Sequence, residues 1–346
     1  MRRDATSRSH RARAGRTLRA GRATLAAACL AATSLAGCGL LETTGLKDRD
    51  PLLVTKDDAP DVAYEKAREL FRAERWEDAE NGFDRVWEDH PESPLAADAR
   101  FYAAEARYGR GKYNGAFALY KRFLAVHPLS PHAPLIQRRL YDMGRFLVEE
   151  GQTGLLFSYS DEGIEMLDYL VSAFPNGDLA DDALLYAADH EARTHKPERA
   201  IAHLHDLIDN YGGSEWVLEA RLDLARAYRD VNRGSRYDGD TLAKSKAYYL
   251  SYIEIVSADA AREREYAEQL AAARTELAEV DEILARKMLE TADFYLRTGR
   301  PEAARAELRN LLRDHPGTPS AAEAADRLGR TAEEDAGAVA PEGSQS

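Results

Sequence analysis

Cysteine is almost absent: Cys29 and Cys38 are the only two among 346 residues, and both lie near the N-terminus. The rest of the chain therefore has no disulfide framework, no thiolate zinc site and no cysteine nucleophile. Glycine and proline number 23 and 13, too few for a collagen-like or low-complexity chain. Long hydrophobic runs are missing too, since the apolar run at 23–36 falls short of the roughly 20 residues a spanning helix requires. Cations are concentrated at one end: residues 1–37 hold eight Arg against one Asp, so a net charge of −13 divides into +7 there and −20 in the remainder. A body that acidic lacks the clustered Lys and Arg that neutralise phosphates, which excludes nucleic acid as a partner.

Signatures of chemistry are equally scarce. No H-E-x-x-H or G-x-S-x-G occurs. His203 and His205 stand two apart, roughly 200° around a helix, so they cannot share a metal. Gly109-Arg110-Gly111-Lys112 lacks the spacing and the Ser or Thr of a phosphate loop and reads as a turn between helices. Adjacent acids such as Asp181-Asp182 and Glu149-Glu150 point to different helical azimuths and read as solvated faces. The expectation is a binding protein, not an enzyme, with no metal and no cofactor.

What is present begins with an export signal. A basic stretch from Arg2 to Arg22 precedes the apolar run Ala23–Ala36, the layout of a secretory signal peptide. The run ends in Leu35-Ala36-Gly37-Cys38, which resembles a bacterial lipobox. By that resemblance the thiol of Cys38 receives a diacylglyceryl group and becomes residue one of the mature protein. Gly39, where an Asp would signal retention, favours the outer membrane by the same resemblance. Residues 38–60 follow as a polar tether.

The body repeats itself. A small residue followed by large apolar ones at +4 and +7, and a turn residue at +12, recurs as Ala79, Phe83, Val86, Pro91 and as Ala116, Tyr120, Phe123, Pro128. It recurs again as Gly163, Leu167, Leu170, Pro175, as Ala200, Leu204, Leu207, Gly212, and as Ala304, Leu308, Leu311, Pro316. This spacing makes one helical stripe, with the small residue where a neighbouring helix comes close. An upstream helix carries its own marker at Ala67, Ala104, Tyr141, Ala188, Ala225 and Ala292. The step is 37 residues, with ten extra near Gly151–Ser160 and thirty around Asn232–Asp240 and the tract Ala260–Ala285. The fifth copy is degenerate, its small residue read as Ala247 without large partners. Between copies, Ser93-Pro94, Ser130-Pro131 and Thr318-Pro319 are expected to cap a helix and open it with proline.

These residues resemble the tetratricopeptide repeat, which implies an all-α solenoid of about six helix pairs over 61–330, first helices sharing one binding face. Residues 331–346, acidic and aperiodic, are expected to be disordered. Repeat and lipobox together are similar to the BamD family of outer-membrane protein assembly factors. The likeness is carried by Ala63-Tyr64-Glu65-Lys66-Ala67 with Trp76-Glu77-Asp78-Ala79, and by Ala292-Asp293-Phe294-Tyr295 with His315-Pro316-Gly317-Thr318-Pro319. It implies a lipid-anchored, periplasm-facing protein of the outer membrane that binds a BamA-like barrel insertase and unfolded outer-membrane proteins. The alternative is a cell-envelope adaptor of the Tol–Pal accessory type.

The shared face is located by counting three before, one after and four after each first-helix marker. That gives Tyr64, Arg68 and Phe71, then Phe101, Glu105 and Tyr108, then Arg138, Asp142 and Arg145, and then Leu185, Asp189 and Ala192. Aromatic anchors beside arginines suit an extended peptide with aromatic side chains and a carboxylate. The competing expectation for Phe101 and Tyr108 is packing between repeats.

Overall fold

The computed structural model describes residues 50–153, 158–231 and 239–338. The chain divides into two units, Met1–Asp50 and Pro51–Ser346. The expected signal peptide 1–37, Cys38 and most of the tether thus lie outside the described residues. Among the described residues there are fourteen α-helices and no strand, and no helix is long and apolar enough to cross a membrane.

Twelve of the helices form six antiparallel pairs, as the repeat predicts. They are α1 (Pro60–Arg72) with α2 (Trp76–Asp89), α3 (Ala96–Gly109) with α4 (Tyr113–Val126), and α5 (Ala133–Thr153) with α6 (Ser158–Ala173). Then come α7 (Ala180–Arg193) with α8 (Pro197–Asn210), α9 (Val217–Val231) with α10 (Gly239–Ser257), and, after the short α11 (Ala260–Glu265), α12 (Ala267–Arg297) with α13 (Pro301–Asp314). α14 (Pro319–Ala338) closes the array. The stripe residues Ala79, Phe83, Val86, Ala116, Tyr120, Ala200, Leu207, Ala304 and Leu311 are fully buried. Burial of these second-helix stripes against the neighbouring helices is what holds each pair and joins it to the next.

Two expectations about the repeat need correction. In the third pair the close approach is made by Gly144 and not by Tyr141: a Cβ on Gly163 would stand 2.6 Å from the Gly144 carbonyl oxygen. The ten extra residues sit inside this pair, between its two helices, and part of them lengthens α5 to 21 residues. In the fifth pair the small position is Ser245, not Ala247, and its large partners are present as Tyr249 and Tyr252 at +4 and +7, all three buried. Serine fits a close helix crossing because its Oγ donates to the Ala225 carbonyl of α9 at 2.7 Å, so the buried hydroxyl is satisfied. The later insertion becomes α11 and the first half of α12, which packs Leu270, Ala273 and Val280 against α10; the second half, with Ala285, Leu289 and Ala292, packs against α13.

Helix ends differ in detail as well. Thr318 caps α14 as expected, its Oγ1 accepting from Ala321 N at 3.2 Å. Ser93 and Ser130 instead close tight turns onto Leu95 N and His132 N, both at 3.2 Å, so Pro94 and Pro131 precede their helices by two residues. Residues 50–59 are not a free tether: Leu52 and Val54 pack on the first core cluster, and Asp58 binds Lys66 Nζ at 2.8 Å. α14 continues to Ala338, eight residues into the segment for which disorder is expected. Its Ala and Glu content favours helix, and the first glycine after Gly329 is Gly337.

The turn inside a pair demands a left-handed residue two positions before the second helix. Gly111 (φ 71°) and Gly299 (φ 72°) supply it in pairs two and six, while Glu74 (φ 56°) and His195 (φ 60°) occupy it in pairs one and four. A side chain there costs roughly 1–2 kcal/mol, and glycine returns about half in chain entropy. E74G and H195G are therefore each expected to stabilise the protein by about 0.5–1 kcal/mol in urea melts, and G111A to destabilise it by a similar amount. A lower midpoint for E74G would contradict this.

Polar contacts stitch neighbouring pairs at a separation of 34 or 35 residues, one repeat less about one helical turn. Asp98 meets His132 at 3.0 Å, Asp182 accepts from Trp216 Nε1 at 2.8 Å, and Asp281 meets His315 at 2.7 Å. His203 lies between Asp168 (2.9 Å) and the fully buried Glu191, which is 3.4 Å from its Nδ1 and 2.7 Å from Arg199 Nε, paired in charge but not aligned as hydrogen bonds. Burial works to lower the His203 pKa, but the two carboxylates outweigh it and hold the ring up at about 9. Because the folded value exceeds the unfolded one of about 6.5, the stabilisation is complete below pH 6.5 and disappears as pH rises through 9. Stability is expected to fall by on the order of 2 kcal/mol across that window, and H203Q to flatten the slope in denaturant melts at pH 6, 7.5 and 9.

Candidate peptide-binding face

The exposed side of α5 carries one continuous stripe. Leu135, Arg138, Asp142, Arg145, Phe146 and Glu149 stand at offsets of 3, 7, 10, 11 and 14 from the first, within about 100° of arc, and all six are exposed. Leu135 and Phe146 are 39% and 45% exposed, unusual for a helix whose other side is fully packed. Arg138 is exposed and has no ion pair among the described residues.

Neighbouring first helices flank this stripe. From α3, Tyr108 lies under the Arg139 guanidinium at 4.2 Å and meets Tyr113 at 5.5 Å between ring centres, and Tyr113 in turn meets Phe146 edge-on at 5.0 Å. From α7, Tyr186 lies 5.0 Å beneath the Arg145 guanidinium and donates to Glu149 Oε1 at 3.2 Å; Tyr141 approaches Arg145 from its own helix at 5.6 Å. Glu149 also accepts from Arg145 Nη2 at 3.3 Å. Arg145 is thus braced by two rings and a carboxylate, while Arg138 is exposed. Such a face offers the exposed guanidiniums of Arg138 and Arg145 and two exposed apolar side chains, of which Phe146 stands beside the Tyr113 ring.

The remaining positions of the expected face are not brought to this surface. Tyr64 is 6% exposed and packs edge-on to Phe83 and Tyr102, at 5.7 and 6.3 Å. Burial pushes its hydroxyl up to about 12. Phe71 is half-buried against Trp76 (5.0 Å) and Tyr102 (5.6 Å). Phe101 is 1% exposed and stacked on His132 at 3.8 Å. Glu105 is buried, accepting from the Tyr120 hydroxyl and from Arg139 Nη2 at 2.9 Å. Leu185 is buried, whereas Asp189 is exposed and tied to Arg193, and Ala192 is exposed. Arg68 rests over Tyr64 at 5.8 Å and pairs with Glu65.

The physical reason lies in the repeat itself. Tyr64 and Phe71 are covered by Tyr102 of the next pair, Phe101 by His132 in the following turn and Glu105 by Arg139 of α5; Leu135, Arg138 and Asp142 stay exposed among the described residues. Leu135, Phe146, Tyr113 and Tyr186, which stand outside the three counted positions, complete the face from neighbouring turns. Among the described residues no group of three or more potential metal ligands converges, and His203 and His205 face different neighbours, Asp168 and the Tyr228 hydroxyl.

Comparison with known proteins bears on this stretch. Residues 56–185 match the family described as YfiO, outer membrane lipoprotein, a span that includes α1 to α6, part of α7 and the whole exposed stripe of α5. No curated protein matches the sequence. Solved structures with some likeness include a tetratricopeptide repeat protein from Parabacteroides merdae (14% identity, 77% of this chain and 96% of that one, TM-score 0.31). Others are a thermophilic tetratricopeptide protein of Thermus thermophilus (18%, 62% and 100%, TM-score 0.29) and pilF of Pseudomonas aeruginosa (16%, 78% and 97%, TM-score 0.25). The match over 56–185 supports a lipoprotein of outer-membrane type with a helical-repeat body, an architecture suited to binding proteins.

Proposed function

We propose that the mature chain is anchored in the outer membrane through acylated Cys38, faces the periplasm, and receives unfolded outer-membrane proteins on the face of α3, α5 and α7 while binding a BamA-like barrel insertase. The observation that carries this reading is the uncovered stripe Leu135–Arg138–Asp142–Phe146 with its braced Arg145, lying inside the stretch that matches the outer-membrane lipoprotein family. An unfolded barrel protein presents extended segments with aromatic side chains on alternate positions and a terminal carboxylate. Guanidiniums take the carboxylate, and the exposed side chains of Leu135 and Phe146 receive a ring.

A backbone in extended form needs only a shallow surface, and one repeat-to-repeat step spans about three residues of strand, from helix spacings of 8–10 Å and a rise of about 3.3 Å. The acidic body, −20 after residue 37, discourages adhesion to anionic lipid and leaves the arginine face as a local exception. Crosslinked purification of the native lipoprotein from cell envelopes tests the assignment. A barrel insertase recovered with it is the expected result; envelope-division proteins of the Tol–Pal kind recovered in its place would overturn it.

A further inference from the structure

The turns that join one pair to the next share a register, which makes departures visible. At the residue closing the second helix stand Asp89, Val126, Ala173, Asn210 and Asp314, and three residues later Glu92, Leu129, Asn176, Gly213 and Gly317. Pair two alone puts a large apolar residue at both places. Leu129 is 96% exposed and Val126 is 60% exposed. The same segment, Val126 to His132, holds no Asp, Glu, Lys or Arg, whereas the corresponding segments of the other four turns each hold an acid. The tip is apolar and free of Asp, Glu, Lys and Arg in a body that is otherwise acidic. Leaving two such side chains in water has no folding benefit, because neither packs on the core.

We propose that the Val126–Leu129 turn is a membrane-contact site that inserts into the phospholipid interface beside the anchor; this rests on the anchoring of Cys38 proposed above. The reach is sufficient: twelve residues separate Cys38 from Asp50, about 40 Å when extended at ~3.3 Å per residue, while a 14-residue helix is only about 21 Å long. Either edge of the first two pairs can therefore lie at the lipid surface. A side chain that projects into solvent enters lipid without needing a complementary pocket, and an uncharged turn avoids the repulsion that Asp89 and Glu92 would meet at an anionic headgroup. A shallow recess beside the tip, walled by Ala97, Asp98, Phe123, Pro128 and Pro131, is where a protein would seat instead; its one acid, Asp98, is held by His132 at 3.0 Å.

The near-absence of cysteine makes the test direct. In the lipidated protein L129C is the single free thiol, and it is labelled with an environment-sensitive fluorophore and reconstituted in phosphatidylethanolamine/phosphatidylglycerol vesicles with or without brominated acyl chains. The expected result is a blue-shifted emission quenched at least twofold more by brominated lipid than the same probe on K112C, at the exposed turn on the opposite edge, with the difference lost on adding V126D. Equal spectra for the two probes would overturn the proposal while leaving the anchor intact. A shift that appears only when envelope proteins are added would overturn it in favour of a protein occupant. A second reactive thiol, at Cys38, would remove the anchor and this proposal together.

Discussion

R138E/R145E is expected to weaken binding of an extended peptide bearing an aromatic residue and a free C-terminal carboxylate by roughly 30-fold or more, with little change in unfolding temperature. The magnitude follows from two charge-assisted contacts, each worth about 1.5–3 kcal/mol, converted into repulsion; a loss of about 2 kcal/mol already amounts to ~30-fold. The stability expectation follows from exposure. Among the described residues Arg138 has no ion pair to lose, and the Arg145–Glu149 pair, with side chains 44% and 58% exposed, is worth at most about 0.5 kcal/mol. Amidating the peptide terminus should cost the wild type much of its affinity and the variant little. Fluorescence anisotropy with both peptides measures this, and unchanged affinity in the double variant would remove these arginines from the site.

E105A is expected to do the opposite: destabilise the protein by about 3 kcal/mol while leaving peptide affinity within about twofold where the protein remains folded. Glu105 is buried between the Tyr120 hydroxyl and the Arg139 guanidinium, which itself covers Tyr108. Removing the carboxylate strands a buried hydroxyl and half of a partly buried ion pair, and breaking such a pair from one side costs about 3–5 kcal/mol when it is fully buried. Arg139 retains 27% of its side-chain exposure, so the lower end applies. Y120F, which removes only one donor, should cost about 1 kcal/mol. Denaturant melts of the two variants beside anisotropy separate a structural Glu105 from a ligand-binding one. Lost affinity with intact stability would return it to the binding face.

The contrast between the two arginines and Glu105 shows how far the chain could be read before its structure. Periodicity is dictated by backbone geometry, so the helix pairs, their six copies and the turn at Gly109–Lys112 were legible. A template written in alanine could not see Ser245, because serine fills the same volume only when its hydroxyl finds a carbonyl, here that of Ala225. Gly144 was hidden for a related reason: a count of 37 from Ala104 lands on Tyr141, three residues before the glycine that Gly163 approaches. Counting along first helices found the correct azimuth for Arg138, Asp142 and Arg145. It failed for Tyr64, Phe101 and Glu105, since azimuth alone does not say whether the next pair brings a ring or a partner to cover the position. Residues 50–59 and 331–338 read as tether and tail because their order comes from a few contacts, such as Val54 on the second helix beside Gly82 and Asp58 on Lys66, or from simple Ala and Glu propensity, and not from a period.

The claim on which the rest depends is that the uncovered stripe of α5 receives unfolded outer-membrane proteins. A photo-crosslinking amino acid placed at Leu135 in the native lipoprotein, irradiated in cells during outer-membrane protein synthesis, tests it most directly, with the same residue at Ile283 of α12 as a comparison site. The account predicts adducts to newly made outer-membrane proteins from position 135, diminished by R138E/R145E, and few from 283. Equal adducts from both positions, or none from 135 while the lipoprotein remains folded and anchored, would contradict it.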